Sequence, residues 1–361
     1  MELKNIIISK APARICLFGD HQDYLGLPVI ACAINKYMTV EGGFVTGDQL
    51  NFNLIDLNKK VSININEDII VIKKGDHIRA VIKTLRAFGC RVNSAMDIDV
   101  RSDIYINAGI SSSSALTVSL INFFIKAFGI NREINNELIA EIAYNSEVIE
   151  QGGSGGKMDQ YSITLGNTIF LETGSKFSYK EINTGFNSFI IANSGIEKNT
   201  DRVLKDLKNK ALDALVKVQK INSNFDILKC NKQELETYSN LLDNKSFTYF
   251  KAAVENYHIT MKALNEIESS NTSIKVLGEL MNLHHSILKN KLKITVPKID
   301  HMINAANLAG AYGSKIIGSG GGGSIVAISN IKNENKIMKS ILNAGATQVC
   351  KVKISKGAFL K

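Results

Sequence analysis

A glycine and four consecutive serines, in the stretch Asn107-Ala-Gly-Ile-Ser-Ser-Ser-Ser-Ala-Leu-Thr117, lead without a break into an apolar run that reaches Phe128. A loop that feeds a helix in this way leaves backbone N–H groups unpaired at the positive end of the helix dipole, where an anion can be held. The stretch reads as a phosphate cradle. The plainer alternative is that the serines cap an ordinary buried helix, since Ser is a favoured N-cap residue. One cap needs one serine, so three hydroxyls would be spare, and the decision falls to the rest of the chain.

At 361 residues, 45% hydrophobic and 21% charged, the chain has room for one large or two medium domains with proper cores. No apolar segment approaches the roughly 20 residues that cross a bilayer, and Met1-Glu-Leu-Lys-Asn-Ile-Ile-Ile-Ser9 lacks a signal-peptide pattern. A cytoplasmic, enzyme-like globule with no membrane partner is expected. Cys16, Cys32, Cys90, Cys230 and Cys350 are scattered and form no C-x-x-C pair, so they read as reduced thiols rather than a disulfide framework or a zinc site. The net charge of +9 is spread over lysines without interleaved aromatics. That pattern suits solvated faces that attract anionic ligands, and no nucleic-acid partner is expected.

Short β-rich runs at 6–9, 38–45, 50–55, 61–65, 69–73 and 95–100 alternate with helical patterns at 78–88, 114–128 and 136–150. From about 201 to 288 the pattern turns helical and charged, and strand character returns at 316–329 and 348–354. With no internal repeat and no linker, this is a mixed α and β chain whose second lobe is expected to begin near residue 186.

Three further clusters carry polar chemistry. In Gly152-Gly-Ser-Gly-Gly-Lys-Met-Asp159, a P-loop would need Gly where Gln151 stands and Ser or Thr where Met158 stands, so a Walker ATPase is disfavoured. What the segment offers is Glu147 late in a helix and Asp159 after a glycine turn: one acid suited to a divalent metal, the other to a substrate hydroxyl, unless each is simply a surface charge. Gly318-Ser-Gly-Gly-Gly-Gly-Ser324 lies between strand-like runs, so its backbone takes positive φ or approaches another group closely. A dinucleotide fingerprint would need a helix to follow, and 324–329 reads as strand. Near the N-terminus, Arg14, Asp20, His21 and Asp23 cluster around the apolar run 15–18, either as a solvated turn or as an arrangement that hydrogen-bonds a polyhydroxylated ligand.

The order of these segments resembles that of the GHMP small-molecule kinases, and most closely the galactokinases. Pro12-Ala-Arg-Ile-Cys-Leu-Phe-Gly-Asp-His-Gln-Asp-Tyr24 resembles their first motif, Gly109-Ile-Ser-Ser-Ser-Ser-Ala-Leu116 their phosphate loop, and Gly152 to Gln160 the segment around their catalytic aspartate. Gly318 to Ser324 is similar to their C-terminal third motif, represented by Gly320, Gly321, Gly322 and Gly323. The resemblance implies an α+β, two-lobed GHMP kinase fold: a ribosomal protein S5 domain 2-like N-terminal lobe over 1–185, a ferredoxin-like GHMP C-terminal lobe over 186–361, and an active site in the cleft between them.

It also implies a mechanism. ATP phosphates would lie on the backbone of Ala108, Gly109, Ile110, Ser111, Ser112, Ser113 and Ser114, with Mg²⁺ held by Ser113 and Glu147. Asp159 would take or orient the proton of the accepting hydroxyl with Arg14 beside it, and Asp20, His21 and Asp23 would hold sugar hydroxyls. The product would be a sugar phosphate, phosphorylated at the anomeric hydroxyl, and the chain a monomer or homodimer.

Asp20 stands where galactokinases usually have Glu and Cys16 where they usually have Asn, which leaves the sugar open. The phosphate loop also looks like the heptose-kinase branch, and Leu17-Phe-Gly-Asp-His21 resembles a mevalonate kinase motif, although Gln22-Asp-Tyr24 is polar where that branch is mostly apolar. The expected order is hexose-type sugar, then heptose, then mevalonate. A non-catalytic sugar and ATP sensor is the reading from another class.

Overall fold

The computed structural model describes residues 4–105, 108–197 and 200–361; Asn107 at the head of the serine stretch lies outside the described residues. The first sheet is built from β1 (Lys4–Phe18), β2 (Val29–Phe44), β3 (Gln49–Leu54), β4 (Lys59–Asn64), β5 (Met96–Ser102), β6 (Thr168–Glu172), β7 (Ser178–Glu181) and β12 (Phe359–Leu360). Its main path runs β12-β1-β2-β5-β3-β4, and β6 and β7 extend from β2. Only the β3/β5 pair within it is parallel. β2 divides its pairing, giving 29–32 to β6 and 38–44 to β5.

Burial explains the strand sequences. Residues 29–34 of β2 are all buried, so they read as a continuous apolar run. In β5 the half-exposed pattern alternates, with Met96, Ile98 and Val100 inward and Asp97, Asp99 and Arg101 outward. Helices α1 (His77–Ala87), α2 (Ser112–Phe128), α3 (Asn136–Tyr144) and α4 (Met158–Leu165) cover this sheet. Nearly every side chain of α2 from Ser114 to Ile125 is buried, so it is a core helix rather than an amphipathic surface one.

The second sheet has the order β11-β8-β10-β9, from β8 (Ser188–Asn193), β9 (Gly313–Ile317), β10 (Ser324–Ile328) and β11 (Gln348–Lys353), all antiparallel. Around it lie α5 (Thr200–Ile221), α6 (Lys232–Thr237), α7 (Asn244–Ile267), α8 (Ile274–Asn290), α9 (Pro297–Leu308) and α10 (Glu334–Asn343). Pro297 opens α9 at the position where a missing N–H costs nothing. One apolar cluster runs from the first sheet and α2 through α7 and α8 to Phe189 and Val326, so the two halves share a core.

The run 69–73, expected as a strand, is irregular. Ile69 is buried, but Ile70 and Val71 are 70% and 80% exposed and no strand pairs with them, so β propensity has nothing to act on. The pattern at 136–150 is a helix only to Tyr144; its continuation is a π-helical turn, Asn145–Ile149.

Candidate active site

α2 begins beside a cavity of about 340 Å³ whose wall includes Gly109, Ser111, Ser112 and Ser113. Its first intrahelical bond runs from the Ala115 N–H to the Ser111 carbonyl at 3.0 Å, so the amides of Ser112, Ser113 and Ser114 precede the ladder. Ser111 occupies the N-cap position in the left-handed region (φ 61°) and makes no side-chain cap. A non-glycine residue held there costs about 1–2 kcal/mol. Its hydroxyl donates instead to Asp159 Oδ2 at 2.5 Å. The capping alternative therefore fails at the one serine placed to cap. Ala108, Ile110 and Ser114 turn their side chains into the interior and lie off the cavity wall.

Asp159, in the first turn of α4, has its other oxygen engaged as well: Arg14 Nε donates to Oδ1 at 2.7 Å. Arg14 projects from β1 and is 4% exposed. Its Nη1 donates to the Gly109 carbonyl at 2.9 Å, and its backbone N–H donates to the Ile110 carbonyl at 3.3 Å. Side chain and backbone of one residue thus clasp the loop ahead of α2 while presenting a cation to Asp159. Burial works against that cation, but the adjoining Asp159 carboxylate outweighs it and the Arg14 pKa is raised.

Glu147 lines the same cavity from the π-helical turn, a distortion that re-aims side chains and recurs at functional sites. Gln160 Nε2 donates to its Oε2 at 2.7 Å. Ser113 lines the same cavity as Glu147. Among the described residues no three His, Cys, Asp or Glu side chains gather as a metal cage. That donor set fits Mg²⁺, which keeps several waters and is held by one or two protein ligands plus substrate phosphates.

Asp20, His21 and Asp23 follow β1 and reach the cavity from the other side. Asp20 Oδ2 accepts from Lys315 Nζ at 2.6 Å, while Oδ1 is buried with no hydrogen-bond partner among the described residues. Burial alone would raise the Asp20 pKa, yet Lys315 and His284 draw it below its ordinary value. Asp23 Oδ1 accepts from the Tyr24 N–H at 2.9 Å, and its other oxygen lies against Gly156, where any Cβ would overlap the carboxylate. Burial, then the nearby Asp159 charge, push Asp23 from 3.8 up to about 6. His21 Nδ1 lies 3.1 Å from the Tyr24 hydroxyl.

The third motif is a loop between antiparallel β9 and β10. Gly318 and Ser319 are on the cavity wall; Gly320, Gly321, Gly322 and Gly323 pass behind it. All four have positive φ, and a Cβ on Gly322 would come within 2.6 Å of the Ile196 carbonyl oxygen. The Gly321 and Gly323 amides donate to the Ile294 and Ile196 carbonyls at 2.7 and 3.1 Å. The glycines serve a close backbone crossing.

Sequence reasoning missed Lys315, Gln160, Tyr24 and His284 in this neighbourhood. Lys315 had a readable signal: a single lysine at the head of an apolar strand, a residue almost never fully buried unless paired.

The GHMP kinases N terminal domain matches residues 76–167, the GHMP kinases C terminal domain residues 260–346, and the galactokinase galactose-binding signature residues 2–43. Together they cover more than half of the chain. A galactokinase of Clostridium perfringens is 27% identical over 352 residues, spanning 92% of this chain and 87% of its own length. A mevalonate kinase of Methanocaldococcus jannaschii is also 27% identical, over 345 residues, 93% of this chain and 96% of its own. The crystal structure of Lactococcus lactis galactokinase complexed with galactose has a TM-score of 0.88 at 19% identity, covering 99% of this chain and 96% of that one. That of Methanococcus jannaschii mevalonate kinase has a TM-score of 0.75 at 23% identity, covering 98% and 99%. These two likenesses show the fold. No helix among the described residues is long and apolar enough to cross a membrane. The serine loop on α2, the clasped aspartate and these matches converge: the chain belongs to the GHMP kinase family, as a galactokinase-like phosphotransferase that uses ATP.

Proposed function

We propose that the enzyme transfers the γ-phosphoryl group of ATP to a monosaccharide hydroxyl, the anomeric one, giving a sugar 1-phosphate. The observation that carries this reading is the Arg14–Asp159–Ser111 cluster at the head of α2, in one cavity with the buried Asp20 and the half-buried Asp23 carboxylates. The α2 amides and Ser111 to Ser113 receive the phosphates. Asp159 accepts the proton of the attacking hydroxyl as its oxygen bonds to the γ-phosphorus and the bond to the β–γ bridging oxygen breaks, releasing ADP. Carboxylate oxygens carry two lone pairs each, so the bonds from Arg14 and Ser111 leave Asp159 able to accept a third. Arg14 stabilises charge on the transferring group. Ser113 and Glu147 would hold Mg²⁺, which neutralises phosphate charge when bound.

Asp20 Oδ1 and Asp23 accept sugar hydroxyls, with His21 beside them. One buried and one half-buried acid are a costly lining unless a ligand with several hydroxyl donors satisfies them, which favours a sugar over mevalonate. The galactose-binding signature over residues 2–43 includes all three side chains.

The test is ATP turnover with Mg²⁺ against galactose, N-acetylgalactosamine, glucuronate, arabinose, fucose, heptoses and mevalonate, with the phosphate located by NMR. One sugar phosphorylated at C1 is the expected result. Phosphate elsewhere on a sugar moves the assignment to the heptose branch, and mevalonate phosphorylation overturns it. ATP binding with no turnover on any acceptor favours the sensor.

A further inference from the structure

Lys315 and Asp20 are 295 residues apart in sequence and meet inside the protein at 0% and 2% side-chain exposure. A buried ion pair is weak evidence for stability, because an apolar pair of similar volume serves a core as well or better. The surroundings give this one a narrower task. Lys315 Nζ donates to Asp20 Oδ2 at 2.6 Å and to the Cys16 carbonyl near the end of β1 at 3.0 Å. The ammonium therefore fixes both the carboxylate and the strand end from which the turn of Asp20, His21 and Asp23 departs. Among the described residues no hydrogen-bond partner reaches Asp20 Oδ1.

His284 Nε2 lies 4.0 Å from Asp20 Oδ2, with its ring stacked on Phe18. Burial, then the neighbouring Lys315 charge, hold its pKa at about 3, so it is neutral. Of the neighbouring groups that draw the Asp20 pKa below its ordinary value, Lys315 contributes most, ahead of His284 and His21. Three residues beyond Lys315, Gly318 and Ser319 join the cavity wall.

We propose that Lys315 is a positioning residue for substrate recognition: by holding Asp20 through Oδ2 and the β1 end through the Cys16 carbonyl, it leaves Asp20 Oδ1 as a fixed acceptor for a sugar hydroxyl. This rests on the sugar-kinase reading, in which Asp20 meets the substrate.

The experiment compares Asp20→Asn, Lys315→Met, Lys315→Arg and the Asp20→Asn/Lys315→Met double variant with the unaltered enzyme, on the sugar that enzyme turns over. It reads sugar KM, ATP KM, kcat and Tm. Asp20→Asn and Lys315→Met are each expected to raise sugar KM at least about tenfold, the scale of one hydrogen bond to a charged group, with ATP KM unmoved. The double variant matches the sugar KM of Asp20→Asn and melts above either single variant, because no unpaired charge stays buried. Lys315→Arg, which keeps a cation, recovers part of the loss. A merely structural lysine would move ATP KM and sugar KM together.

If Lys315→Met leaves sugar KM unchanged while Asp20→Asn raises it, or adds a further loss in the Asp20→Asn background, the proposal is overturned. If Lys315→Met does not fold, Asp20→Asn and the double variant carry the comparison: equal sugar KM supports it, a higher value in the double refutes it. An unchanged sugar KM in Asp20→Asn removes the sugar-site reading itself, and the positioning role with it.

Discussion

At the α2 end of the cavity both oxygens of Asp159 already accept hydrogen bonds from the protein, Arg14 on one and Ser111 on the other. At the β1-turn end Asp20 keeps one buried oxygen without a partner among the described residues, and Asp23 is held against Gly156 with its pKa pushed up to about 6. The first end is complete before anything binds; the second is under-satisfied until something does. Transfer of a phosphoryl group asks for positioning and fixed charge, which a preformed cluster supplies with little reorganisation. Recognition of one sugar among several asks for buried groups that stay unpaired when the wrong hydroxyl pattern enters. On the proposed reading, the end assigned to the sugar carries the energetic cost.

If the two ends are separable, Asp159→Asn should lower kcat about a thousandfold, within the range for a general base, while sugar KM and the calorimetric ATP affinity stay within a few-fold of the original. A sugar KM that rises to the same degree would show the ends to be one unit. Gly156→Ala strikes only the second end: its Cβ overlaps the Asp23 carboxylate, and sugar KM should rise more than about tenfold with ATP KM steady.

The acidity of Asp23 gives a finer separation. Its folded pKa of about 6 lies above its ordinary 3.8, so the folded state binds the extra proton and stability is lost as pH rises between these values. The gap corresponds to about 3 kcal/mol. Asp23→Asn should then raise Tm at pH 8 and leave it nearly unchanged at pH 4, while sugar kcat/KM falls chiefly at pH 8. In the unaltered enzyme sugar kcat/KM should fall as pH drops through about 6, where Asp23 becomes protonated and loses acceptor strength. A flat profile from pH 5 to 7 would take Asp23 out of sugar binding. The smallest effect belongs to Ser111→Ala. It removes one bond to Asp159 and relieves no positive φ, so kcat should fall about tenfold or less with sugar KM held.

The same two ends differ in how far they could be read from sequence. The α2 end is local: a glycine, a serine run and an apolar helix are contiguous, and helix-terminus physics turns that order into an anion site. What local reading could not give was the Ser111 hydroxyl, whose partner is 48 residues away and which reaches it only from a left-handed backbone. The β1-turn end depends on Lys315 from the other sheet, so from the residues alone its acids read equally as a solvated turn or as a ligand site. Gly320 to Gly323 are placed at the site by the resemblance to the third motif, whereas their composition alone implies a tight turn or close approach. Only Gly318 and Ser319 reach the wall, because the remaining glycines are spent on crossing residues 196 and 294. The run 69–73 was misread for the complementary reason: a β-prone sequence forms no strand without a neighbour to pair with.

β12 adds a consequence on the timescale of synthesis. Phe359 and Leu360 pair with Lys10 and Ser9 of β1, the strand that also bears Arg14. Until residues 359 and 360 have been made, that flank of β1 lacks this partner, although the strand's own sequence emerges much earlier. Closing such a gap is a long-range event of the kind that slows folding and exposes strand edges to unwanted pairing. The strand that bears Arg14 is thus synthesised well before the segment that seals its edge, and the growing chain must keep that edge out of aggregates in the interval.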